Sequence, residues 1–418
     1  MGTKAPRGTK DILPEEIAGW EYVEESIRKI CRLYGYEEIR TPVFEYTELF
    51  QRGIGEGTDV VDKEMYTFLD KGNRSITLRP ENTAAVARAY LEHKLYADAS
   101  LTKLFYIGSM FRHDRPQAGR MREFHQFGVE AIGESNPALD AEVIVLAMRF
   151  LEELGLKDLT LAINSVGCPK CRPNYQDKLR DFFRDKLGEL CSDCKSRFET
   201  KPLRLLDCKA DSDKEFMKDA PKMEDSLCDD CRSHFEGLKG YLDSLGVKYE
   251  VDPKLVRGLD YYTKTAFEIK YPPLGAQSAV AGGGRYDGLI EEVGGMSTPA
   301  VGFAAGIERV LLALSMQNLL PEKKHNPDVF VVKIGDEANV PAFKLLENLR
   351  KAGIYAATDY AGRSMKAQMK QANKCGAKYV LILGEDEVNN QTVQLKNMEN
   401  SEQETVALDD IVDKIKNI

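Results

Sequence analysis

Leu104-Phe105-Tyr106-Ile107-Gly108-Ser109-Met110-Phe111-Arg112 and Arg122-Glu123-Phe124-His125-Gln126-Phe127-Gly128-Val129-Glu130-Ala131-Ile132 decide how the chain folds, together with the loop His113-Asp114-Arg115-Pro116-Gln117-Ala118-Gly119-Arg120-Met121 between them. Both arms are rich in aromatic and aliphatic residues, and the polar linker carries Pro and Gly, so the pattern predicts an antiparallel pair over 104–111 and 122–132. Side chains alternate faces along a strand. Gln126, Gly128 and Glu130 therefore share one face, and Phe127 and Val129 the other. With Phe127 and Val129 turned to packed helices, the opposite face offers an acid, an amide and a gap at Gly128, which suits a floor for a small polar ligand. Read alone, the strand equally fits a half-exposed sheet with a solvated Glu. On the first arm, Arg112 shares its face with Gly108 and Tyr106. Arg112, Arg115, Arg120 and Arg122 gather around the loop, and guanidinium groups bind phosphoryl oxygens in bidentate fashion. An ordinary solvated loop remains the alternative for Arg115 and Arg122.

Upstream, Trp20, Val23, Ile27, Ile30 and Tyr34 recur at helical spacing and predict a helix over 15–34 with one apolar stripe, ended by Gly35. Further helices are expected over 83–93, 139–154 and 307–314, and strands over 38–44, 75–78, 247–251, 266–269 and 301–304. Strands outnumber crossover helices, which points to an α+β unit with a mainly antiparallel sheet and flanking helices. Residues 168–245 break this texture with charged helices and paired cysteines, and read as an insertion. A polar, Pro-flanked stretch at 321–327 reads as a linker. Beyond it, strands over 329–334, 354–358, 379–383 and 392–396 alternate with helices over 340–351, 364–375 and 408–416, an α/β domain of parallel type.

The chain has 418 residues and a formal net charge of −9, which argues against a protein that coats nucleic acid without specificity, though local basic patches stay compatible with one RNA partner. No targeting stretch opens the chain, and no window reaches the roughly 20 apolar residues of a membrane helix. A cytoplasmic protein without membrane association is expected. Of nine cysteines, seven lie between Cys168 and Cys231. Cys168-x2-Cys171 and Cys191-x2-Cys194 have zinc-ribbon spacing, and Cys228-x2-Cys231 adds a third pair. Structural zinc at Cys168, Cys171, Cys191 and Cys194 and reduced, packed thiols are both open. Gly282-Gly283-Gly284 lacks the Lys-Ser/Thr ending of a P-loop, and Gly53, Gly55 and Gly57 lack dinucleotide-fingerprint spacing.

Phe111-Arg112, the loop and Arg122-Glu123-Phe124 resemble motif 2 of the class II aminoacyl-tRNA synthetases. Pro42 after Ile39-Arg40-Thr41 resembles motif 1, at a dimer interface, and Gly306-Ile307-Glu308-Arg309 resembles motif 3. Arg257-Gly258-Leu259-Asp260-Tyr261-Tyr262 and Ala281-Gly282-Gly283-Gly284-Arg285-Tyr286-Asp287-Gly288-Leu289 resemble the two histidine-specific motifs of the histidyl enzymes. Pro6-Arg7-Gly8-Thr9-Lys10-Asp11 and Leu78-Arg79-Pro80-Glu81-Asn82-Thr83 are similar to that family too. The resemblance implies a catalytic domain over 1–325, the insertion over 168–245 within it, and an anticodon-binding domain over 326–418. It implies activation of histidine with ATP and Mg2+, transfer to tRNA(His), and a homodimer. By the same resemblance Arg112 and Arg257 hold the α-phosphate, and Arg120 and Arg309 the pyrophosphate end. Asp114 faces adenine where the family usually has the longer Glu. Glu81 and Glu130 take the histidine ammonium, Thr83 and Gln126 complete that site, and Tyr262 and Tyr286 line the imidazole pocket, with Tyr261 expected as packing. Arg115 and Gln117 are expected at the tRNA acceptor end. The alternative family role is a non-catalytic regulatory subunit of ATP phosphoribosyltransferase, which would lack the phosphate-binding arginines and the C-terminal domain.

Overall fold

The computed structural model describes residues 3–55, 58–117, 119–208, 210–212, 214–321 and 326–418. They form two compact units, one up to Pro321 and one beyond it. Gly57, Ala118 and most of the expected linker lie outside the described residues.

In chain order the strands of the first unit are β1 (Glu37–Glu38), β2 (Phe44–Tyr46), β3 (Tyr66–Leu69), β4 (Ser75–Leu78), β5 (Thr102–Phe111), β6 (Glu123–Ile132), β7 (Thr160–Ser165), β8 (Glu250–Val251), β9 (Thr263–Lys270), β10 (Ala279–Arg285) and β11 (Ala300–Gly306). The large sheet has the order β1-β5-β6-β11-β10-β9-β7-β8, antiparallel except for its two edge pairs. Its centre is the hairpin read from the sequence, in unbroken register from Thr102 opposite Ile132 to Phe111 opposite Glu123. The strand expected over 38–44 is instead split between β1 in the large sheet and β2 in a small sheet of order β2-β4-β3. Pro42 accounts for the break, because it has no N–H for a ladder and restricts the residue before it.

One face of the large sheet is apolar. Phe127, Val129, Phe267, Ile269, Val301 and Phe303 form one core with Trp20, Val23 and Ile27 of the helix Pro14–Leu33 and Phe150 of the helix Pro137–Glu153. The Phe127 ring meets Phe150 and Phe303 edge-on at 5.0 and 5.3 Å. Burying each such ring is worth roughly 1.5–3 kcal/mol, so this face anchors the sheet. The opposite face carries Gln126, Gly128 and Glu130, beside a second apolar cluster that includes Leu104, Tyr106 and Met110 of β5.

The insertion has its own core, in which Tyr175, Leu179 and Phe183 of the helix Arg172–Arg184 pack against cysteines. The single zinc set Cys168, Cys171, Cys191 and Cys194 does not form. The 13-residue helix Arg172–Arg184 lies between the two pairs, and at 1.5 Å per residue it spans about 20 Å. Cys168 and Cys171 converge instead with Cys228 and Cys231, and Cys191 and Cys194 with Cys208 and Asp211.

The second unit contains β12 (Val329–Lys333), β13 (Ala356–Thr358), β14 (Tyr379–Leu383), β15 (Thr392–Asn397) and β16 (Gln403–Ala407) in the order β13-β12-β14-β15-β16. The first three are parallel, as expected. β14 to β16 are antiparallel, which corrects the all-parallel reading. The links after β14 and β15 are too short for the crossover that a parallel pair requires.

A buried ion pair ties the insertion to the large sheet. Arg285 on β10 and Asp140 are both fully buried and bonded to each other, and His234 Nε2 of the helix Asp229–Ser244 lies 3.0 Å from Asp140 Oδ1. Asp140→Ala would leave the guanidinium with Asp287 (3.1 Å) and the Glu134 carbonyl (2.9 Å) and deprive it of its buried partner, and is expected to lower stability by about 3 kcal/mol. The measurement is urea unfolding followed by the fluorescence of Trp20, the only tryptophan in the chain. An unchanged midpoint would contradict the assignment.

Candidate active site

The polar face of the large sheet floors a cavity of about 450 Å3, within the usual size range of small-ligand sites. Strand register assembles the floor. Gln126 lies opposite Gly306 and Gly108, Gly128 opposite Ala304 and Tyr106, and Glu130 opposite Gly302. Ala304 is in turn opposite Gly282, and Gly282 opposite Glu268. The absent side chains are a packing requirement. A Cβ at Gly302 would overlap the Glu130 carboxylate, and one at Gly128 the Tyr106 hydroxyl.

Glu81, Thr83, Gln126, Glu130, Tyr262 and Tyr286, the residues that the resemblance implied for an amino-acid site, all line this cavity. Glu81 sits before the helix Thr83–Glu92 and accepts hydrogen bonds from the backbone N–H groups of Thr83 (2.7 Å) and Ala84 (2.9 Å), which fix its direction. Burial nevertheless raises its pKa. Glu130 is almost wholly buried, and burial pushes its carboxyl up to about 8, against the opposing hydrogen bond from the Tyr286 hydroxyl. Gln126 Oε1 is buried without a partner among the described residues.

Arg112, Asp114, Arg120 and Arg309 line the cavity too. Arg309 is held by the carbonyls of Gly119 and Ala279, both at 2.9 Å. Burial lowers its pKa, and the nearby charges of Arg120 and Arg112 lower it further. Such mutual repulsion marks a site shaped for an anion. Asp114 pairs with Arg120. Arg112 donates to the Pro80 carbonyl at 2.9 Å and lies over the Phe124 ring. Arg257 comes from the loop before β9, over the Tyr262 ring and 2.7 Å from Glu268 Oε1. Its Nε is buried with no partner among the described residues. Arg115 and Gln117 stand exposed on the hairpin loop, outside the cavity lining.

Tyr106, Tyr261 and Glu268 also line the cavity and were not singled out for it by the sequence. Tyr261 was expected only to pack. It is buried, with its ring 4.7 Å from that of Tyr262 and 5.7 Å from that of Tyr286, because residues 258–261 form bends and a turn in which strand alternation does not apply. Glu268 was legible in principle, since Phe267 and Ile269 on either side of it face the core.

The family described as "Histidyl-tRNA synthetase" matches residues 8–310, and "Anticodon binding domain" matches residues 328–418. The chain belongs to the histidyl-tRNA synthetase family. It is 54% identical over 418 residues to the histidine–tRNA ligase of Halothermothrix orenii and 55% identical over 417 residues to that of Caldanaerobacter subterraneus subsp. tengcongensis, each comparison covering 100% of both chains. The apo histidyl-tRNA synthetase of S. aureus superposes with a TM-score of 0.83 at 44% identity, covering 99% of this chain and 100% of that one. A Bacillus halodurans structure described as an ATP phosphoribosyltransferase regulatory subunit/histidyl-tRNA synthetase shares the fold at 23% identity and a TM-score of 0.64, covering 91% of this chain and 98% of that one.

Glu130 links this synthetase-family site to pH. Its carboxyl titrates near 8 when folded and near the ordinary 4.5 when unfolded. Between those values the folded state binds the extra proton, so the ligand-free protein loses stability as pH rises through that window. Glu130→Gln removes the effect. Melting temperatures from pH 5 to 8.5 should fall for the parent relative to the variant, and parallel curves would contradict the shift.

Proposed function

We propose that the chain is a histidine–tRNA ligase that joins histidine to ATP as histidyl-adenylate, releases pyrophosphate, and passes the histidyl group to the 3′ end of tRNA(His). The observation that carries this reading is a single cavity lined by buried carboxylates, tyrosines and clustered guanidinium groups. The histidine carboxylate attacks the α-phosphorus, so two anions must meet, and fixed positive charge is needed where negative charge develops. Arg257, with its unpartnered Nε, and Arg112 hold the α-phosphate. Arg120 and Arg309 take the pyrophosphate end, and Asp114 the adenine side.

The histidine ammonium sits with Glu81 and Glu130, next to Thr83 and Gln126. Tyr262 and Tyr286 bound the imidazole, where hydrogen bonds to both ring nitrogens would reject amino acids that lack them. Mg2+ brought with the nucleotide would supply neutralisation of phosphate charge beside Arg112, Arg120 and Arg309. Among the described residues no three carboxylate, histidine or cysteine donors of the cavity lining come within 4.8 Å of one another.

Arg115 and Gln117 contact the tRNA acceptor end, and the second unit binds the anticodon. Exposed Val43, Phe44 and Tyr46 beside Pro42 support a homodimer through that segment. No helix among the described residues is long and apolar enough to cross a membrane, and we assign the enzyme to the cytoplasm. The regulatory-subunit alternative gives no account of the arginine cluster or of full-length likeness to ligases.

Histidine-dependent exchange of radiolabelled pyrophosphate into ATP tests the proposal. Exchange with histidine and no other amino acid is expected, and no exchange at all would overturn it in favour of the regulatory reading. Arg257→Ala should reduce exchange by roughly 10²–10³-fold or more while leaving tRNA binding intact. Unchanged exchange would remove Arg257 from the mechanism.

A further inference from the structure

We propose that the insertion carries two structural zinc ions, one held by Cys168, Cys171, Cys228 and Cys231 and the other by Cys191, Cys194, Cys208 and Asp211. In each set the four donor atoms all lie within 4.8 Å of one another. In the first, Sγ of Cys168 is 3.8 Å from that of Cys171 and 3.7 Å from that of Cys228, and Cys171 is 3.9 Å from Cys231. A tetrahedron with Zn–S bonds of 2.3 Å has edges of about 3.8 Å. These separations are too long for disulfides, whose sulfurs lie about 2.05 Å apart. In the second set Cys191 and Cys208 are 3.6 Å apart.

The Cys168 N–H points at Cys171 Sγ (3.3 Å) and the Cys194 N–H at Cys191 Sγ (3.4 Å), so backbone donors turn toward the sulfurs. Asp211 is buried and oriented by the Cys191 N–H and by Lys214 Nζ at 2.8 Å. Thiolate-rich tetrahedral donor sets select zinc among common divalent ions.

Local architecture gives the ions a task. Among the described residues between the helices Arg172–Arg184 and Asp229–Ser244, the insertion has only one six-residue helix and short 3-10 turns, with a small core. The first set joins the entry and exit of this segment, 60 residues apart in sequence. Small units with thin cores commonly depend on such staples. Cys171 also immediately precedes Arg172, whose guanidinium donates to the Tyr262 carbonyl at the cavity wall, so the first ion would help position that wall.

The test is the metal content of the full-length chain, purified under reducing conditions, by inductively coupled plasma mass spectrometry. Two zinc ions per chain are expected. Cys228→Ser with Cys231→Ser should leave one, and Cys208→Ser with Asp211→Asn should also leave one. Should the variants not fold, the parent protein exchanged with cobalt gives an independent reading, namely two equivalents with the intense visible bands of tetrahedral thiolate cobalt. One ion per chain, none after incubation with zinc chloride, or iron in place of zinc would each overturn the assignment. None of these readouts depends on ligase activity.

Discussion

A carboxylate buried beneath a sheet floor of glycines is the constraint on which the cavity depends. Glu130 can lie almost wholly buried because Gly302 beside it lacks a side chain and the Tyr286 hydroxyl hydrogen-bonds to it. An unpaired buried carboxylate is unfavourable as an anion and neutralises itself by taking up a proton, which is why it titrates near 8. The site is thus poised, since a cation brought beside Glu130 restores its charge. The apolar face of the same strand, through Phe127 and Val129, provides the packing that holds this arrangement rigid.

The cavity lining carries both buried carboxylates and clustered guanidinium groups. Burial holds the Glu130 carboxyl protonated, which a cation beside it would reverse, and the charges of Arg120 and Arg112 press on that of Arg309, which an anion would relieve. A zwitterionic amino acid and a polyphosphate relieve both at once. Arg257, braced by Glu268 and the Tyr262 ring, has an unsatisfied Nε for the group between them. Fixed dipoles and charges of this kind need little reorganisation during reaction, which is the usual source of large rate effects.

The parts legible in the sequence were those governed by local periodicity. The hairpin 104–132, the division of its faces and the helix bearing Trp20 follow from alternation and helical spacing. Strand β10 escaped because its run of three glycines has low strand propensity, although its place between β9 and β11 needs small residues. Pro42 broke an expected strand, and Tyr261 joined the cavity through a turn that alternation cannot describe. The pairing of Cys168 and Cys171 with Cys228 and Cys231 was out of reach for a different reason. Spacing brings neighbours in sequence to mind, whereas a helix of about 20 Å and a 60-residue return decide which sulfurs meet.

The central claim is that Glu130 is protonated in the empty site and ionises against the incoming ammonium. Isothermal titration of histidine into the protein at pH 7 to 9, in buffers of differing ionisation enthalpy, measures the protons exchanged on binding. The account predicts release of about one proton per histidine at pH 7, where a carboxyl of pKa near 8 is mostly protonated, giving way by pH 9 to net uptake as the deprotonated free amine takes up a proton to bind as the ammonium. Binding without proton release at pH 7, with affinity flat across the range, would contradict it.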